Sequence, residues 1–268
     1  MIVVKIGGDV YQKGLNVGLA EDIKKILETE RLVIVHGGGD EVTSVAQRLG
    51  KQQTFITSPG GVRSRYTDEE TVEIFTMVMA GKINKAIVRW LLSRGVNAVG
   101  IAGLDAGTIR AERKKKLVII DERDRKRIID GGYTGKIGKV NTSLLELLVE
   151  KGYIPVVSPI ALGEDYEFLN VDADRAAAQI AGALKADKAI FLTDVQGLLV
   201  KDKPVKALSI REAEELIPKI GAGMDKKVLA SVEALKAGAK EAVISSGLLS
   251  EPITNALTHK SGTVVTVE

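Results

Sequence analysis

Residues 1–8 read Met1-Ile2-Val3-Val4-Lys5-Ile6-Gly7-Gly8, an apolar run broken by one lysine and closed by two glycines. A short apolar run bounded by glycine is the pattern of a buried parallel strand. Glycines at its carboxyl end let backbone N–H groups come close to an anion. Lys5 then stands with its ammonium at the mouth of the sheet, which suits phosphate; the alternative is a lysine that snorkels beside an ordinary turn. The same grammar soon returns. Asn16 to Glu28 has helical spacing at Ile23, Ile26 and Leu27, and leads to a second buried strand, Leu32-Val33-Ile34-Val35. That strand closes in His36-Gly37-Gly38-Gly39-Asp40 and is followed by a helix through Leu49. Strand, glycine turn and helix, met twice, predict a parallel sheet with anion sites at its carboxyl edge. Three successive glycines cost backbone entropy, so they point to a ligand rather than to a turn alone.

Outward from this core, Ser58-Pro59-Gly60-Gly61-Val62-Arg63-Ser64-Arg65-Tyr66 reads as polar and irregular. It opens a long helix capped by Thr67 or Asp68 that runs to about Arg94 and stops at Gly95. The middle of this helix (Ile74, Phe75, Met77, Val78, Met79, Ile83) is apolar on several faces. Such a helix is either central or shared with a second subunit, and a homodimer is expected. Further strands are expected at Val96–Ile101, Ile154–Val157, Lys188–Leu192, Glu241–Ser245 and Val264–Val267, with a hairpin over Leu117–Asp130. Asp130 to Gly135 reads as turn before a helix at about Asn141–Lys151, and an Ala-rich helix follows Asn170 to about Ala186. Two more helices are expected, at Ile210–Leu216 and from Gly221 to Ala237. A composition change at Gly163-Glu164-Asp165 divides the chain into residues 1–165 and 166–268.

The bulk numbers narrow the chemistry. The chain has 268 residues, is 45% hydrophobic and 27% charged, and is long enough for a large α/β core in one domain or two lobes. It has no cysteine, which excludes disulfides, thiol nucleophiles and Cys-ligated zinc, and two histidines make a multi-His metal site a poor expectation. No apolar run reaches membrane-span length and the apolar start carries a lysine, so a cytoplasmic protein with neither membrane nor nucleic-acid partner is expected. Arg110 to Arg127 holds nine basic and four acidic residues within a chain of net charge +3. That run is either a solvated hairpin face or a docking patch for an acidic partner.

P-loop, dinucleotide-fold and nucleophile-elbow signatures are all missing from the sequence. What remains is a set of glycine turns, lysines at two of them (Lys5, Lys227) and an acid-rich helix start. Phosphoryl transfer needs little more than positioning and positive charge from its protein. The motifs Lys5-Ile6-Gly7-Gly8, His36-Gly37-Gly38-Gly39, Thr67-Asp68-Glu69-Glu70-Thr71, Ala80-Gly81-Lys82-Ile83-Asn84-Lys85, Asn170-Val171-Asp172-Ala173-Asp174 and Gly223-Met224-x-x-Lys227 occur in order. Together they resemble N-acetylglutamate kinases of the amino acid kinase superfamily along essentially the whole chain. The passage Gly60 to Asp68 most resembles the kinases that act on α-aminoadipate or glutamate carried by the amino-group carrier protein LysW. It is two residues longer than the corresponding Gly-Leu-Arg-Val-Thr of N-acetylglutamate kinases.

The resemblance implies a three-layer αβα sandwich around a central, mainly parallel eight-stranded sheet, with a substrate and dimerisation lobe (1–165) and a nucleotide lobe (166–268). It implies ATP, with Mg2+ carried by the nucleotide and no metal site of the protein's own. Lys5 and Lys227 would neutralise the phosphoryl oxygens, and Asp174 would pair with both lysines rather than act as a base. A carboxylate nucleophile is ionised at neutral pH and needs none. Gly38 and Gly39 would offer N–H groups to substrate and phosphoryl. Arg65, with Arg63 as second candidate, would grip the substrate's α-carboxylate, and Asn170 would hold its amide-linked end. Gly7, Gly8, Thr193, Asp194, Gly221 and Gly223 would contact the nucleotide. An acidic LysW carrier would give the basic hairpin a purpose, in lysine or arginine biosynthesis.

Overall fold

The computed structural model describes residues 1–221 and 223–268; Ala222, in the expected Gly221-Ala222-Gly223 nucleotide loop, lies outside them. The central sheet is built from β1 (Ile2–Ile6), β2 (Leu32–His36), β3 (Ala98–Ala102), β4 (Ile154–Ser158), β5 (Lys188–Thr193), β6 (Ala207–Ser209), β7 (Ala242–Ser246) and β8 (Thr263–Thr266). Its eight strands lie in the order β6-β8-β7-β5-β1-β2-β4-β3. Every neighbouring pair is parallel except β7–β8. β1 to β4 fill one half and β5 to β8 the other, so the two halves of the chain meet at the β1–β5 pair. β1, β2 and β5 are flanked on both sides and buried along their length, which is why they read as unbroken apolar runs.

Helices cover both faces. α1 (Gly8–Gln12), α2 (Val17–Leu27), α3 (Gly39–Arg48), α4 (Glu69–Thr76) and α5 (Asn84–Leu92) lie on the face shared by Ile2, Val4, Ile6 and Ile34. α6 (Ser143–Glu150), α7 (Ala173–Ala183), α8 (Ile210–Leu216) and α9 (Met224–Ala237) lie on the face of Val3, Val33 and Val35, and α10 (Pro252–Leu257) returns to the first. Successive residues of a strand point to opposite faces, so Lys5 falls with Val3 on the α7 side. Among the described residues, no helix is long and apolar enough to cross a membrane.

Four readings of the sequence need correction. The passage expected to be irregular is a hairpin, Phe55–Thr57 with Arg63–Arg65, whose Arg-Ser-Arg strand has no apolar residue to signal it. Gly135–Val140, expected as turn and connection, is a strand paired antiparallel with Ile109–Arg113. Glycine is unfavourable in strands, yet Gly135 lets Ala111, Val171 and Leu169 close in to about 3 Å of where its Cβ would be. The helix expected from Asp68 to Arg94 is interrupted by a π-helical stretch, Met77–Ile83, between α4 and α5. Its apolar residues split accordingly: Val78, Met79 and Ile83 are buried, whereas Met77 is exposed. Last, the short antiparallel strands Ile160–Leu162 and Phe168–Asn170, joined through the turn of Gly163-Glu164-Asp165, were not expected from the sequence.

Candidate active site

Three charged side chains from distant parts of the chain meet at the carboxyl edge of β1. Lys5 Nζ lies 2.8 Å from Asp174 Oδ1, and Lys227 Nζ lies 3.5 Å from Asp174 Oδ2. Lys5 and Asp174 are only 5% and 6% exposed. Each is placed by ordinary local chemistry. Asp172 caps α7 by accepting from the N–H groups of Asp174 (2.9 Å) and Arg175 (3.1 Å), which sets Asp174 in the first turn. Lys227 sits in the first turn of α9. α7 and α9 pack closely because a side chain at Gly182 would overlap Ala237, and the Arg175–Glu233 pair ties them again at 2.6 Å. Burial alone would push the Asp174 carboxyl up, but the charges of Lys5 and Lys227 outweigh it and hold the group below the usual carboxylate range.

Over this triad lie the two glycine turns. Gly7 N–H continues the sheet by donating to Leu192 O, and Gly37 N–H by donating to Ile6 O, each at 2.9 Å. The turns then face one another through the space their missing side chains leave. A Cβ on Gly8 would stand 3.1 Å from Gly38 N, and one on Gly37 would stand 3.2 Å from Gly8 N and 3.6 Å from Lys5 Nζ. Gly38 has φ 147°, a left-handed conformation that side chains avoid, and a Cβ on it would overlap Ile83 Cδ1 from the π-helical stretch. α3 begins at Gly39, so its first N–H groups also open at this edge.

Arg65 stands beside that helix start. It donates to Gly39 O (2.7 Å), to Thr43 Oγ1 (2.9 Å) and to Gln53 Oε1. Its guanidinium carries five N–H donors, so it braces the turn while keeping donors for a ligand. Burial lowers its pKa and the Asp40 charge opposes that, so it remains a cation. Arg63 stacks on the opposite strand's Phe55 at 4.5 Å, and its carbonyl accepts from Lys226 Nζ at 3.2 Å. Asn170 donates to the buried Thr67 hydroxyl at 2.9 Å, at the foot of the capped helix α4. Thr193, buried, ends β5 beside β1, and Asp194 pairs with Lys13 at 3.0 Å, which holds its carboxyl below the usual range. Gly223 has φ 94° and donates to Asp225 Oδ1 at 2.7 Å, while Gly221 O accepts from Asp225 N at 3.2 Å.

Contacts thus bind Lys5, Asp174, Lys227 and the turns of Gly7, Gly8, Gly37, Gly38 and Gly39 into one cluster, with Arg65 on its rim. Thr43, Gln53 and Lys226 are neighbours that sequence reading did not single out, because each is an unremarkable polar residue until the fold brings it in. Two lysines and converging N–H groups over one buried carboxylate can hold a polyanion and stabilise charge that moves between its oxygens. Both Asp174 oxygens are taken by lysines, and among the described residues no three acidic or histidine side chains cluster as metal ligands.

Residues 1–246 match the pattern of the amino acid kinase family. A protein of Cenarchaeum symbiosum (strain A), provisionally named LysW-aminoadipate/LysW-glutamate kinase, is 57% identical over 265 residues, 99% of either chain. The LysW-aminoadipate/LysW-glutamate kinase of Saccharolobus solfataricus is 48% identical over 266 residues, again 99% of each. A crystal structure from Streptococcus mutans UA159 superposes with a TM-score of 0.80 at 24% identity, covering 100% of this chain and 98% of that one, a likeness of fold.

Proposed function

This chain belongs to the amino acid kinase family, in its LysW-aminoadipate/LysW-glutamate kinase branch, and on that premise we propose the reaction and the residues that carry it out. The enzyme transfers the γ-phosphoryl group of ATP to the side-chain carboxylate of α-aminoadipate, and of glutamate, presented on an acidic LysW-type carrier. The observation that carries this reading is the convergence of Lys5 and Lys227, from the two halves of the chain, on one buried carboxylate.

A carboxylate oxygen of the substrate, already ionised, forms a bond to the γ-phosphorus as the bond to the β,γ-bridging oxygen breaks. ADP leaves with that electron pair, and no proton needs to move. Lys5 and Lys227 neutralise the phosphoryl oxygens, and Asp174 holds the two ammonium groups apart and in place. Gly38 and Gly39 donate N–H groups to the substrate and the transferring group. Arg65 holds the α-carboxylate and Asn170 the amide-linked end. Gly7, Gly8, Thr193, Asp194, Gly221 and Gly223 line the nucleotide. Magnesium would arrive on the nucleotide's phosphates, where it screens their charge.

Residues 1–165 form the substrate and dimerisation lobe and residues 166–268 the nucleotide lobe of a cytoplasmic homodimer, for which exposed Met77 and Leu92 beside the buried helix faces offer a seam. The carrier docks on Arg113 to Lys116 and Arg123 to Arg127, at and beside the hairpin Lys116–Ile120/Lys126–Asp130, where Arg125 and Arg127 share the carboxylate of Asp121. The test is to trap the acyl phosphate as a hydroxamate with carrier-linked aminoadipate, carrier-linked glutamate and N-acetylglutamate in parallel. Product with the carrier-linked substrates is expected; product with N-acetylglutamate alone would reassign the substrate, and none with any would refute the enzyme.

A further inference from the structure

His36 is fully buried at the end of β2, and the transfer chemistry gives it no task. Its Nδ1 lies 3.1 Å from Gly37 O, and its Nε2 lies 3.3 Å from Asn84 Nδ2. A carbonyl accepts and an amide nitrogen donates, so the ring carries its proton on Nδ1 and accepts at Nε2. Asn84, also fully buried, shares its two amide protons among His36 Nε2, Val156 O at 2.8 Å and Ile101 O at 3.3 Å, while Lys85 Nζ donates to its Oδ1 at 3.1 Å and to Gly100 O at 2.8 Å. Gly100 makes the approach possible, since a side chain there would overlap the Asn84 amide. Asn84 is the first residue after the π-helical stretch that presses Ile83 on Gly38, so one helix irregularity delivers both contacts to the same turn.

We infer that His36, oriented by Asn84, is a positioning residue that fixes the Gly37–Gly38 peptide with its N–H turned toward the transferring phosphoryl group. In a trans peptide the C=O and the following N–H point in opposite directions. Holding Gly37 O against His36 therefore directs the Gly38 N–H away from the ring, to the side where the missing side chain of Gly8 leaves space and Lys5 Nζ lies nearby. Glycine has no conformational preference of its own to hold this peptide. The bond from His36 supplies that preference. Orientation by Asn84 requires a bare Nε2 and so a neutral ring, and burial, with Lys5 and Lys85 adding to it against the Gly37 hydrogen bond, pushes the imidazole down to about 4.

This inference rests on the kinase reading, and its test separates the two. His36→Asn keeps an N–H donor near the Nδ1 position; His36→Gln moves the amide toward the Nε2 position and lets the Gly37 carbonyl go. With carrier-linked substrate, His36→Gln is expected to lose about 10- to 100-fold in kcat with nucleotide KM within about twofold, whereas His36→Asn stays within about threefold of the parent. Equal losses in both variants, or none in His36→Gln, would overturn the assignment. The chain has only two histidines, so 15N spectra of the labelled parent resolve His36 without any substrate. A protonated Nδ1 and a bare Nε2 at neutral pH are expected. An imidazolium or the other tautomer overturns the inference, while a parent that makes no acyl phosphate counts against the kinase reading instead.

Discussion

Lys5 and Lys227 address the two oxygens of one carboxylate at unequal distances, 2.8 and 3.5 Å, so the looser contact is the one a bound phosphoryl group can draw away. Lys227→Ala should lower kcat by about 10²- to 10³-fold while nucleotide affinity, read by calorimetry, changes little. A pure binding defect would remove Lys227 from the chemistry. Asp174→Asn leaves buried Lys5 and half-buried Lys227 with no counter-charge, and about 3 kcal/mol of stability should go with it, a loss of several degrees in Tm. The pH dependence has a definite sign. The folded Asp174 carboxyl lies below its ordinary value, so its contribution is complete above about pH 5 and is lost as the pH falls through the depressed folded pKa. The melting gap between parent and Asp174→Asn should stay constant from pH 8 to 5 and close in stronger acid. The lysines were legible in sequence because glycine turns announce anion sites. The pairing of Asp174 with both came only through family resemblance, since nothing in residues 170–174 says which strand they will face.

Elements show the same division between what pattern reveals and what only packing decides. β1, β2 and β5 were legible as apolar runs because both their faces are covered. The Arg63–Arg65 strand and Gly135–Val140 were not, because short strands at the periphery are held by a partner's backbone rather than by their own side chains. The π-helical stretch was invisible for a different reason. One added residue per turn leaves the apolar content of Met77–Ile83 unchanged and alters only which residue faces the turn of Gly38. Gly38→Ala tests that contact. It should cost at least about 2 kcal/mol, from backbone strain together with overlap on Ile83. Adding Ile83→Ala should return part of the stability in a double-mutant cycle but not the strain. Additive losses in denaturant melts would mean that the two residues do not press on each other.

At the scale of the whole molecule, charge is unevenly spread, with nine basic against four acidic residues in the run 110–127, which leads into the hairpin of Lys116–Ile120 and Lys126–Asp130. Steering by such a patch weakens with screening, which takes hold beyond about 8 Å at physiological ionic strength. Raising salt from about 50 to 300 mM should therefore raise KM for carrier-linked substrate several-fold and leave a small acetylated substrate nearly unaffected. Equal responses would detach the hairpin from carrier binding. The central seam has a consequence for how the protein is made. β1 is synthesised long before β5, so one of its edges waits, unpaired and apolar, while the ribosome adds every residue between them. Slow non-local pairing is thus built into the middle of the sheet, and a nascent chain halted before residue 188 should be captured by chaperones far more readily than one released at full length.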